Sequence, residues 1–436
     1  MAAKRNRTPS ALQNLSPGKQ LCLTSDRILC AYIQIPFCRS LCSFCCWRQH
    51  YNPGEILRAD KYRTQYIQAL KEEITGRSSI PFERDQVGLN VIHFGGGTPS
   101  LFHPEELAEI LQHLLCAYHM KKDAVQTIGI EVRQDDLSAQ YLSALRDIGF
   151  NRISIGAQSF DRNILKKLGR GISPEDFFQA YDRIRAAGFS DVNIDLLYGF
   201  AIQGTEQIRS DAETLVRLGP DHIDAHPWKE VDGCLPGITP EYAVEKDKKI
   251  QAARFMRTCF ADAGYENYNH RCFCTSGREN LMHLIEAAYS LPFIAFGAGS
   301  EQYRMARTAC AVEDYIQKPF DRDRFEQDLQ KRFTEFNFLN CADSLFRQLL
   351  LPEGVYIPFF NRTQACDLTA LLNDDCAAEK YAPGCVDVYT RSRIQIYKKV
   401  QQWLRDGVIE QSGEWLRLKD EFILSPQTWV LYMQAC

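Results

Sequence analysis

Short segments rich in Val, Ile and Phe recur along the first two thirds of this chain, and amphipathic helical patterns lie between them. Short apolar segments are typical of buried parallel strands, so the alternation predicts an α/β fold with a parallel sheet. A partial (β/α) barrel fits the repeat, with a doubly wound open sheet as the alternative. Either fold places its chemistry at the carboxyl ends of the strands. The predicted strands are Ala31–Pro36, Asn90–Phe94, Ile128–Val132, Arg152–Ile155, Val192–Leu197, His222–Ala225 and Phe293–Phe296. The predicted helices include Tyr62–Ile74, Pro104–Tyr118 and Asp136–Ile148.

The pattern changes after Tyr303, where charged helical segments such as Phe325–Phe336 replace the alternation. Near the carboxyl end, a helical pattern at Arg391–Arg405 precedes two β-like pieces, Val408–Gln411 and Trp415–Leu418. A helix followed by a small hairpin predicts a mostly helical, winged-helix-like C-terminal domain. We therefore divide the chain into a polar leader (1–28), a barrel domain (29–305), a linker (306–334) and a C-terminal domain (335–436).

The charge balance argues against nucleic acid as a partner. The chain has 51 Lys and Arg against 55 Asp and Glu, a formal charge of -4, whereas nucleic-acid-binding domains usually carry a basic excess. No apolar run approaches the ~20 residues of a membrane helix. No hydrophobic segment follows the basic residues near the N-terminus, so we expect no secretory signal. We therefore expect a cytoplasmic protein with reduced thiols and no membrane partner.

The 17 cysteines of the chain are an odd number and a large one for this length. A disulfide framework is not expected in a large cytosolic protein. Cys272 and Cys274, which follow His270, either hold a metal, form a reactive thiol pair or are incidental. Most of the others are isolated and are expected to be small buried hydrophobic residues. These are Cys22, Cys30, Cys116, Cys234, Cys259, Cys310, Cys341, Cys366, Cys376, Cys385 and Cys436.

Three cysteines lie directly after the first predicted strand, in the segment IPFCRSLCSFCCW. They are Cys38, Cys42 and Cys45, close enough along the chain to converge on one metal site. The irons of a [4Fe–4S] cluster usually take four thiolates, so a set of three leaves one iron open for a substrate or cofactor. The alternative is zinc, whose fourth ligand would be Cys46 or a distant His.

A series of motifs resembles a known family. CxxxCxxC after an apolar strand, with Phe44 before the last cysteine, is similar to the radical S-adenosylmethionine (radical SAM) superfamily. The segments AYIQIPFCRSLCSFCCW, VIHFGGGTPS, NRISIGAQSFD, LGRG, VNIDLLYGF and FGAGSEQY follow one another as in the oxygen-independent coproporphyrinogen III oxidase, or HemN-like, group. The resemblance covers about residues 29–305, and a weaker one covers about 335–430. It implies a radical SAM barrel with a [4Fe–4S] cluster and S-adenosylmethionine (SAM) as cofactors.

The resemblance also implies roles for individual residues. Cys38, Cys42 and Cys45 would hold the cluster, and its open iron would bind the amino and carboxylate groups of SAM. A glycine-rich turn would cradle the methionine part, since glycine lets the backbone approach a ligand closely. Other polar or aromatic residues would line the SAM site, unless they serve only hydrogen bonds within the barrel. The turn is Gly95, Gly96, Gly97 and Thr98, and the lining is Tyr32, Phe44, Glu131, Gln158, Arg170 and Asp195.

A second glycine-containing turn follows the last predicted strand. In the resembled group, the region that matches Gly297 and Ala298 contributes to a second SAM site. The alternative is a turn that only closes the barrel.

Two departures from the oxidase pattern bear on the reaction. Gln34 replaces the His of the typical HIPFC segment, and Trp47 stands where the oxidases typically carry a further cysteine. The first hypothesis is therefore a class C-type radical methyltransferase or cyclopropanase that uses two SAM molecules on an unsaturated natural-product substrate. The alternative is an oxygen-independent coproporphyrinogen III oxidase or haem-remodelling enzyme. A third hypothesis is a haem chaperone, with His226 or Cys272 among the candidate haem ligands.

These hypotheses imply similar partners. The substrate would be an unsaturated or aromatic small molecule, with tetrapyrroles among the candidates. A flavodoxin or ferredoxin would supply electrons. The sequence identifies no catalytic residue beyond the cofactor contacts.

Overall fold

The computed structural model describes residues 15–16, 20–21, 28–45, 58–200, 202–228, 246–269, 271–280, 282–284, 293–299, 312–318, 320–327, 345, 348–349, 351, 355–364, 368, 372 and 388–423. Within these ranges the chain forms a nine-stranded sheet, helices that cover one face of it, and a smaller C-terminal unit with a three-stranded sheet.

The nine strands of the large sheet are Ile28–Ile35 (β1), Val87–Gly96 (β2), Thr127–Val132 (β3), Arg152–Gln158 (β4), Val192–Tyr198 (β5), His222–Pro227 (β6), Glu266–Asn269 (β7), Cys272–Cys274 (β8) and Phe293–Phe296 (β9). Their order across the sheet is β7–β8–β6–β5–β4–β3–β2–β1–β9. The strands β1 to β6 are parallel and sequential, and β9 pairs in parallel with the other side of β1. A doubly wound sheet has helices on both faces, whereas the described helices between β1 and β6 pack on one face of this sheet, which confirms the partial barrel.

Alternate residues of each parallel strand face opposite sides of the sheet. In β5, Val192, Ile194 and Leu196 join the main apolar core with the outer helices. Asn193 and Asp195 face the other, concave side, where Asn193 Nδ2 donates to Asp195 Oδ1 over 2.7 Å. We call this concave side the lumen. The apolar residues that identified the strands in the sequence therefore pack outward, and the polar residues between them line the lumen.

The outer helices follow the strands as the sequence predicts. They are Ala59–Ser78 (α1), Pro81–Gln86 (α2), Pro104–Ala117 (α3), Ala139–Ile148 (α4), Arg162–Lys167 (α5), Pro174–Ala186 (α6), Thr205–Leu218 (α7), Lys246–Asp262 (α8) and Val312–Gln317 (α9). The prediction placed the start of α4 too early, at Asp136. Ser138 caps this helix by accepting from Tyr141 N over 3.0 Å, because a serine hydroxyl satisfies a free amide of the first turn. No described helix has both the length and the apolar character to cross a membrane.

Two strands of the large sheet escaped the sequence prediction. β7 contains Glu266, Asn267 and Asn269, residue types that are depleted in strands, and β8 is only three residues long. β8 pairs antiparallel with β6 and places Cys272 opposite Asp224. The segment that holds Cys272 and Cys274 is therefore part of the barrel sheet, while His270 lies outside the described residues.

The C-terminal unit combines helices with a small antiparallel sheet. Its elements are Val355–Tyr356 (β10), Ile357–Gln364 (α10), Val388–Arg405 (α11), Ile409–Ser412 (β11) and Trp415–Leu418 (β12). The predicted hairpin is confirmed, and β10 adds to it in the order β10–β12–β11. Tyr356 and Trp415 pack with Cys30 and Cys272 of the barrel. The predicted helix Phe325–Phe336 extends beyond residue 327 and lies largely outside the described residues.

The isolated cysteines do not share one environment. Cys30 is buried as predicted, but Cys116 is exposed and Cys259 is only partly buried. Cys116 falls off the apolar stripe of α3, whose buried residues include Leu111, Leu114 and Leu115. The other isolated cysteines lie outside the described residues.

Candidate functional site

The loop after β1 carries the three motif cysteines at the carboxyl ends of the strands. Gly97 N donates to Ile35 O over 2.8 Å, which joins the start of this loop to the end of β2. Cys42 is buried, and Cys38 and Cys45 are partly buried. The loop therefore begins at the carboxyl ends of β1 and β2, which hold its first residues in place.

The far end of the loop is anchored to a different part of the barrel. Ser43 N donates to Leu168 O over 3.0 Å, just after α5. Phe44 packs against a small apolar cluster that includes Leu168, Phe200 and Trp228. The predicted aromatic residue of the motif thus packs beneath the loop, at its contact with the barrel.

Donor groups point at two of the sulfur atoms. Thr98 Oγ1 donates to Cys38 Sγ over 3.5 Å, and Arg170 Nη1 donates to Cys42 Sγ over 3.8 Å. Burial raises the pKa of the Cys38 thiol, against the opposing effects of the Thr98 hydrogen bond and the positive charges of Arg133 and Arg170. Hydrogen-bond donors and nearby cations stabilise thiolates, so these groups offset part of the effect of burial at Cys38.

The glycine-rich turn approaches two side chains of β1. A Cβ at Gly95 would lie 2.2 Å from Tyr32 Oη and 2.3 Å from Glu131 Oε1. Gly96 has a φ of +104°, and a Cβ there would lie 2.1 Å from Gln34 Nε2. The backbone of Gly96 therefore favours glycine, and a Cβ at either position would displace side chains that line the lumen.

Glu131 joins this turn to the lumen. Its Oε2 accepts from Gly96 N over 3.0 Å, and its Oε1 lies 3.3 Å from both Tyr32 Oη and His93 Nε2. The structure thus brings together Tyr32, Glu131 and the glycine turn, three separate predictions from the sequence. The carboxylate orients the turn and is itself held by a ring of donors.

Gln158 and Arg170 converge above Gly156. Arg170 Nη2 donates to Gly156 O, and a Cβ at Gly156 would lie 2.4 Å from Gln158 Nε2 and 3.1 Å from Arg170 Nη2. Gln158 is buried and has a φ of +67°, a left-handed conformation that is strained for a residue other than glycine. Since Arg170 also reaches Cys42, the pair lies between the cysteine loop and the end of β4.

Asp195 stands in the lumen beside other acidic groups. It accepts from Asn193 Nδ2 and lies opposite Asp224 in the register of β5 and β6. Burial raises the pKa of Asp195 to about 8, and the negative charges of Asp224 and Glu131 add to the rise. At neutral pH the Asp195 carboxyl is therefore protonated and can donate a hydrogen bond.

The pKa of Asp224 is shifted in the opposite direction. Burial would raise its pKa, but His283, His226 and Arg271, together with a hydrogen bond from Cys272, lower it below the usual range. The two facing carboxyl groups therefore hold one proton between them, and Asp195 carries it.

Comparisons with known proteins agree with this arrangement. The model of the radical SAM superfamily matches residues 32–215. The oxygen-independent coproporphyrinogen III oxidase of Bradyrhizobium diazoefficiens is 32% identical over 404 residues, which cover 89% of this chain and 83% of that protein. The chain belongs to the HemN-like radical SAM group. A further relative of this group, the haem chaperone HemW of Lactococcus lactis, is 25% identical over 79% of this chain and 87% of its own length.

The radical SAM fold is also evident from a solved structure. Coproporphyrinogen III oxidase (HemN) from Escherichia coli superimposes with a TM-score of 0.66 at 17% sequence identity, covering 95% of this chain and 92% of HemN. Radical SAM proteins use a [4Fe–4S] cluster and SAM, and these are the cofactors of this chain.

The lumen of this radical SAM barrel is suited to a polar cofactor. Several buried polar atoms have no hydrogen-bond partner among the described residues. Unpaired buried polar groups are costly, so their number here favours a polar ligand between them. They include both amide atoms of Gln34, Oε1 of Gln134, Oδ1 of Asn193, Nε of Arg170 and Oδ1 of Asp224.

The turn after β9 is held by internal bonds. Gly297 N donates to Glu73 Oε2, and Ala298 N donates to Tyr66 Oη, each over 3.0 Å. Gly297 has a φ of +105° and a Cβ there would lie 2.4 Å from Tyr66 Oη. Both amides therefore have partners within the barrel, and a role of Gly297 and Ala298 in a second SAM site stays a prediction.

Sequence reasoning missed several residues of the site. His93 contacts Glu131, Arg133 Nη1 donates to Ser40 Oγ over 2.9 Å in the cysteine loop, and Asp224 faces Asp195. The available signal was the alternation within the strands, since His93 and Asp224 each stand between apolar neighbours. Arg133 follows the end of β3 and has no such signal. Cys46, the alternative zinc ligand, lies outside the described residues.

Proposed function

We propose that this radical SAM enzyme acts on a tetrapyrrole, as an oxygen-independent coproporphyrinogen III oxidase does. The observation that carries the proposal is the 32% identity to the Bradyrhizobium oxidase across 83% of that protein. The relatives named above are oxidases and a haem chaperone, and they give no support to the first sequence hypothesis, a methyltransferase or cyclopropanase.

In this proposal, Cys38, Cys42 and Cys45 hold the cluster as thiolates. When bound and reduced, the cluster would supply the electron for the reductive cleavage of SAM. Thr98 and Arg170 donate hydrogen bonds to two of the sulfurs, and such bonds adjust the potential of an iron–sulfur site.

The remaining predicted residues bind SAM in the lumen. The turn at Gly95–Gly97, which Glu131 holds by its bond to Gly96 N, lies against the methionine part. Tyr32, Phe44, Gln158 and Asp195 complete the SAM site, and protonated Asp195 acts there as a hydrogen-bond donor. The proposal gives each of these groups a binding role and assigns none of them a proton-transfer step.

An anaerobic assay tests the proposal. The reconstituted protein is mixed with SAM, a strong reductant and coproporphyrinogen III, and the products are quantified by mass spectrometry beside a Cys42→Ala variant. We expect 5′-deoxyadenosine and decarboxylated tetrapyrrole from the wild type and neither from the variant. Production of 5′-deoxyadenosine without any tetrapyrrole binding or turnover would reject the tetrapyrrole substrate and leave radical SAM chemistry intact.

One observation favours methyl transfer or cyclopropanation as a second candidate. A substrate with several propionates needs cationic partners, yet arginines of the lumen and its rim already have partners: Arg152 with Asp191, Arg133 with Asp135, and Arg170 with Gly156 O. Appearance of S-adenosylhomocysteine together with 5′-deoxyadenosine, on an unsaturated substrate, would support this candidate.

The physiological setting follows from the cofactor. An iron with an open coordination position reacts with oxygen, so we place the enzyme in a reducing, low-oxygen cytoplasm with a flavodoxin or ferredoxin as its electron donor. Haem titration is a further arm of the assay, because one relative is a haem chaperone. Stoichiometric haem binding with a Soret band and no 5′-deoxyadenosine would identify a chaperone and overturn the enzymatic proposal.

A further inference from the structure

A second group of metal-binding side chains lies in the lumen, away from the cysteine loop. Asp224 on β6 and Cys272 on β8 are directly opposite each other, and His283 lies beside them. One donor atom from each residue lies within 4.8 Å of the other two. Cys272 Sγ is 3.3 Å from His283 Nδ1, and His283 Nε2 is 3.7 Å from Asp224 Oδ2. The group belongs to the β6–β8 side of the sheet, whereas the cysteine loop follows β1.

The burial of this group separates it from an ordinary surface cluster. The exposed fractions of Asp224, Cys272 and His283 are 4%, 0% and 6%. The hydroxyl of buried Tyr268 lies 3.1 Å from His283 Nδ1 and orients the ring. Metal-binding histidines commonly have their ring orientation set by such a neighbour.

Asp224 retains unused binding capacity. Its Oδ1 is buried and has no hydrogen-bond partner among the described residues. A buried carboxylate oxygen without a partner is costly, and the weak S–H donor of Cys272 offers little compensation. A cation at this position would neutralise the carboxylate and satisfy that oxygen.

One further side chain, His226, can complete the coordination. Asp195, Asp224 and His226 also place one donor atom each within 4.8 Å of one another. Asp224 therefore belongs to both groups, and a metal beside it has a fourth ligand within reach. One thiolate, one or two imidazoles and a carboxylate are the donors that zinc takes in tetrahedral sites.

We propose that Asp224, Cys272 and His283 bind one zinc ion, with the fourth ligand supplied by His226. This site is separate from the iron–sulfur cluster and does not depend on which substrate the enzyme uses. It lies on the same wall of the lumen as the Asp195–Asp224 pair, so the metal would also define the charge of that wall.

Metal analysis of the full-length protein tests the site. Iron and zinc are measured in the same anaerobic, reconstituted sample after dialysis against zinc and then buffer. We expect one zinc per chain in addition to the cluster iron. A Cys272→Ser variant should lose zinc about 10-fold or more. The matched control is Cys274→Ser, which changes another buried cysteine on the same face of β8 and should retain the zinc.

Two further measurements exclude zinc bound elsewhere and misfolding of a variant as explanations. A variant with Cys38, Cys42 and Cys45 all changed to alanine must still bind one zinc, which excludes zinc held by the cysteine loop. Cobalt(II) added to that variant should give a thiolate-to-cobalt charge-transfer band that disappears in the additional Cys272→Ser background. Wild-type protein that retains no zinc, or a cobalt spectrum without a thiolate band, would overturn the proposal even if Cys272→Ser fails to fold.

Discussion

Asp195 and Asp224 face each other on neighbouring parallel strands, and only one of the two carboxyl groups is ionised at neutral pH. The arrangement is costly in isolation, since two like charges in a buried site repel each other. A shared proton removes that repulsion, and donors such as Asn193 hold the pair in place.

The first prediction concerns the pH dependence of stability. The pKa of Asp195 rises from an ordinary 3.8 to about 8 in the folded chain, so between these values the folded state holds a proton that the unfolded state has lost. The contribution of Asp195 to the free energy of unfolding is therefore present below about pH 4 and falls as the pH rises towards 8. Asp195→Asn should remove this part of the pH dependence.

Thermal unfolding of the cluster-free protein at several pH values between 5 and 9 measures the effect. The melting temperature of Asp195→Asn should exceed that of the wild type more at pH 8 than at pH 5. Asp123→Asn, a change at an exposed aspartate, is the control and should leave the curve unaltered. Parallel curves for wild type and Asp195→Asn would mean that Asp195 is ionised throughout.

The second prediction separates cluster ligands from other cysteines. Cys42→Ala should abolish stable binding of the cluster iron, because it removes one of the three thiolates that are proposed to hold the cluster. Cys116→Ser changes an exposed cysteine on α3 and should leave the iron content unchanged. Iron analysis and the visible absorption of the reconstituted proteins measure how much cluster each variant binds. Equal iron content in both variants would refute the assignment of Cys42 as a cluster ligand.

The third prediction concerns Glu131. Its carboxylate holds Gly96 N at 3.0 Å and lies beside Tyr32 and His93. Glu131→Gln keeps the shape but loses the charge, and a hydrogen bond to a charged group contributes about 1.5–3 kcal/mol. We expect SAM affinity to fall about 10-fold or more, with the iron content unchanged.

Calorimetric titration with SAM under anaerobic conditions provides the measurement. Glu109→Gln is the matched control, since Glu109 forms an exposed ion pair with Lys71 far from the lumen. If SAM binds Glu131→Gln as tightly as it binds the wild type, the carboxylate serves the fold alone.

The fourth prediction uses the backbone of Gln158. Its φ of +67° is costly for a residue with a Cβ, by about 1–2 kcal/mol, and glycine avoids that cost. Gln158→Gly should therefore be more stable than Gln158→Ala, by about 1 kcal/mol. Both variants should cleave SAM more slowly than the wild type, because both lack the amide. Chemical denaturation measures the difference in stability, and the yield of 5′-deoxyadenosine measures SAM cleavage. Equal stability of the two variants would contradict the strained backbone.

The sequence predicted most of the barrel because its strands carry strong local signals. The strands around Ile33, Ile130 and Ile194 could be recognised from apolar residues alone. The cysteine and glycine motifs could then be placed at the carboxyl ends of predicted strands. The resemblance to a family added Glu131, Gln158 and Asp195, which have no local signal that separates a cofactor contact from a buried hydrogen bond.

Other features depend on contacts between distant segments and leave no local trace. β7 and β8 exist because Cys272 and its neighbours can pair with β6, although Asn267 and Asn269 disfavour a strand. The meeting of Asp224, Cys272 and His283 requires that pairing. The left-handed backbone of Gln158 likewise reflects the packing around Gly156, which no sequence pattern indicates.

The position of β9 next to β1 has a consequence for how the chain is made. β1 carries the cysteine loop at its end, and one of its two edges pairs with residues such as Ile294 that are synthesised long after it. Until the ribosome has released that late segment, β1 is an open edge strand, the kind that recruits other chains. Pairing between such distant segments also slows folding. Chains cut short before β9 should therefore aggregate, and insertion of the cluster should follow release of the complete barrel from the ribosome.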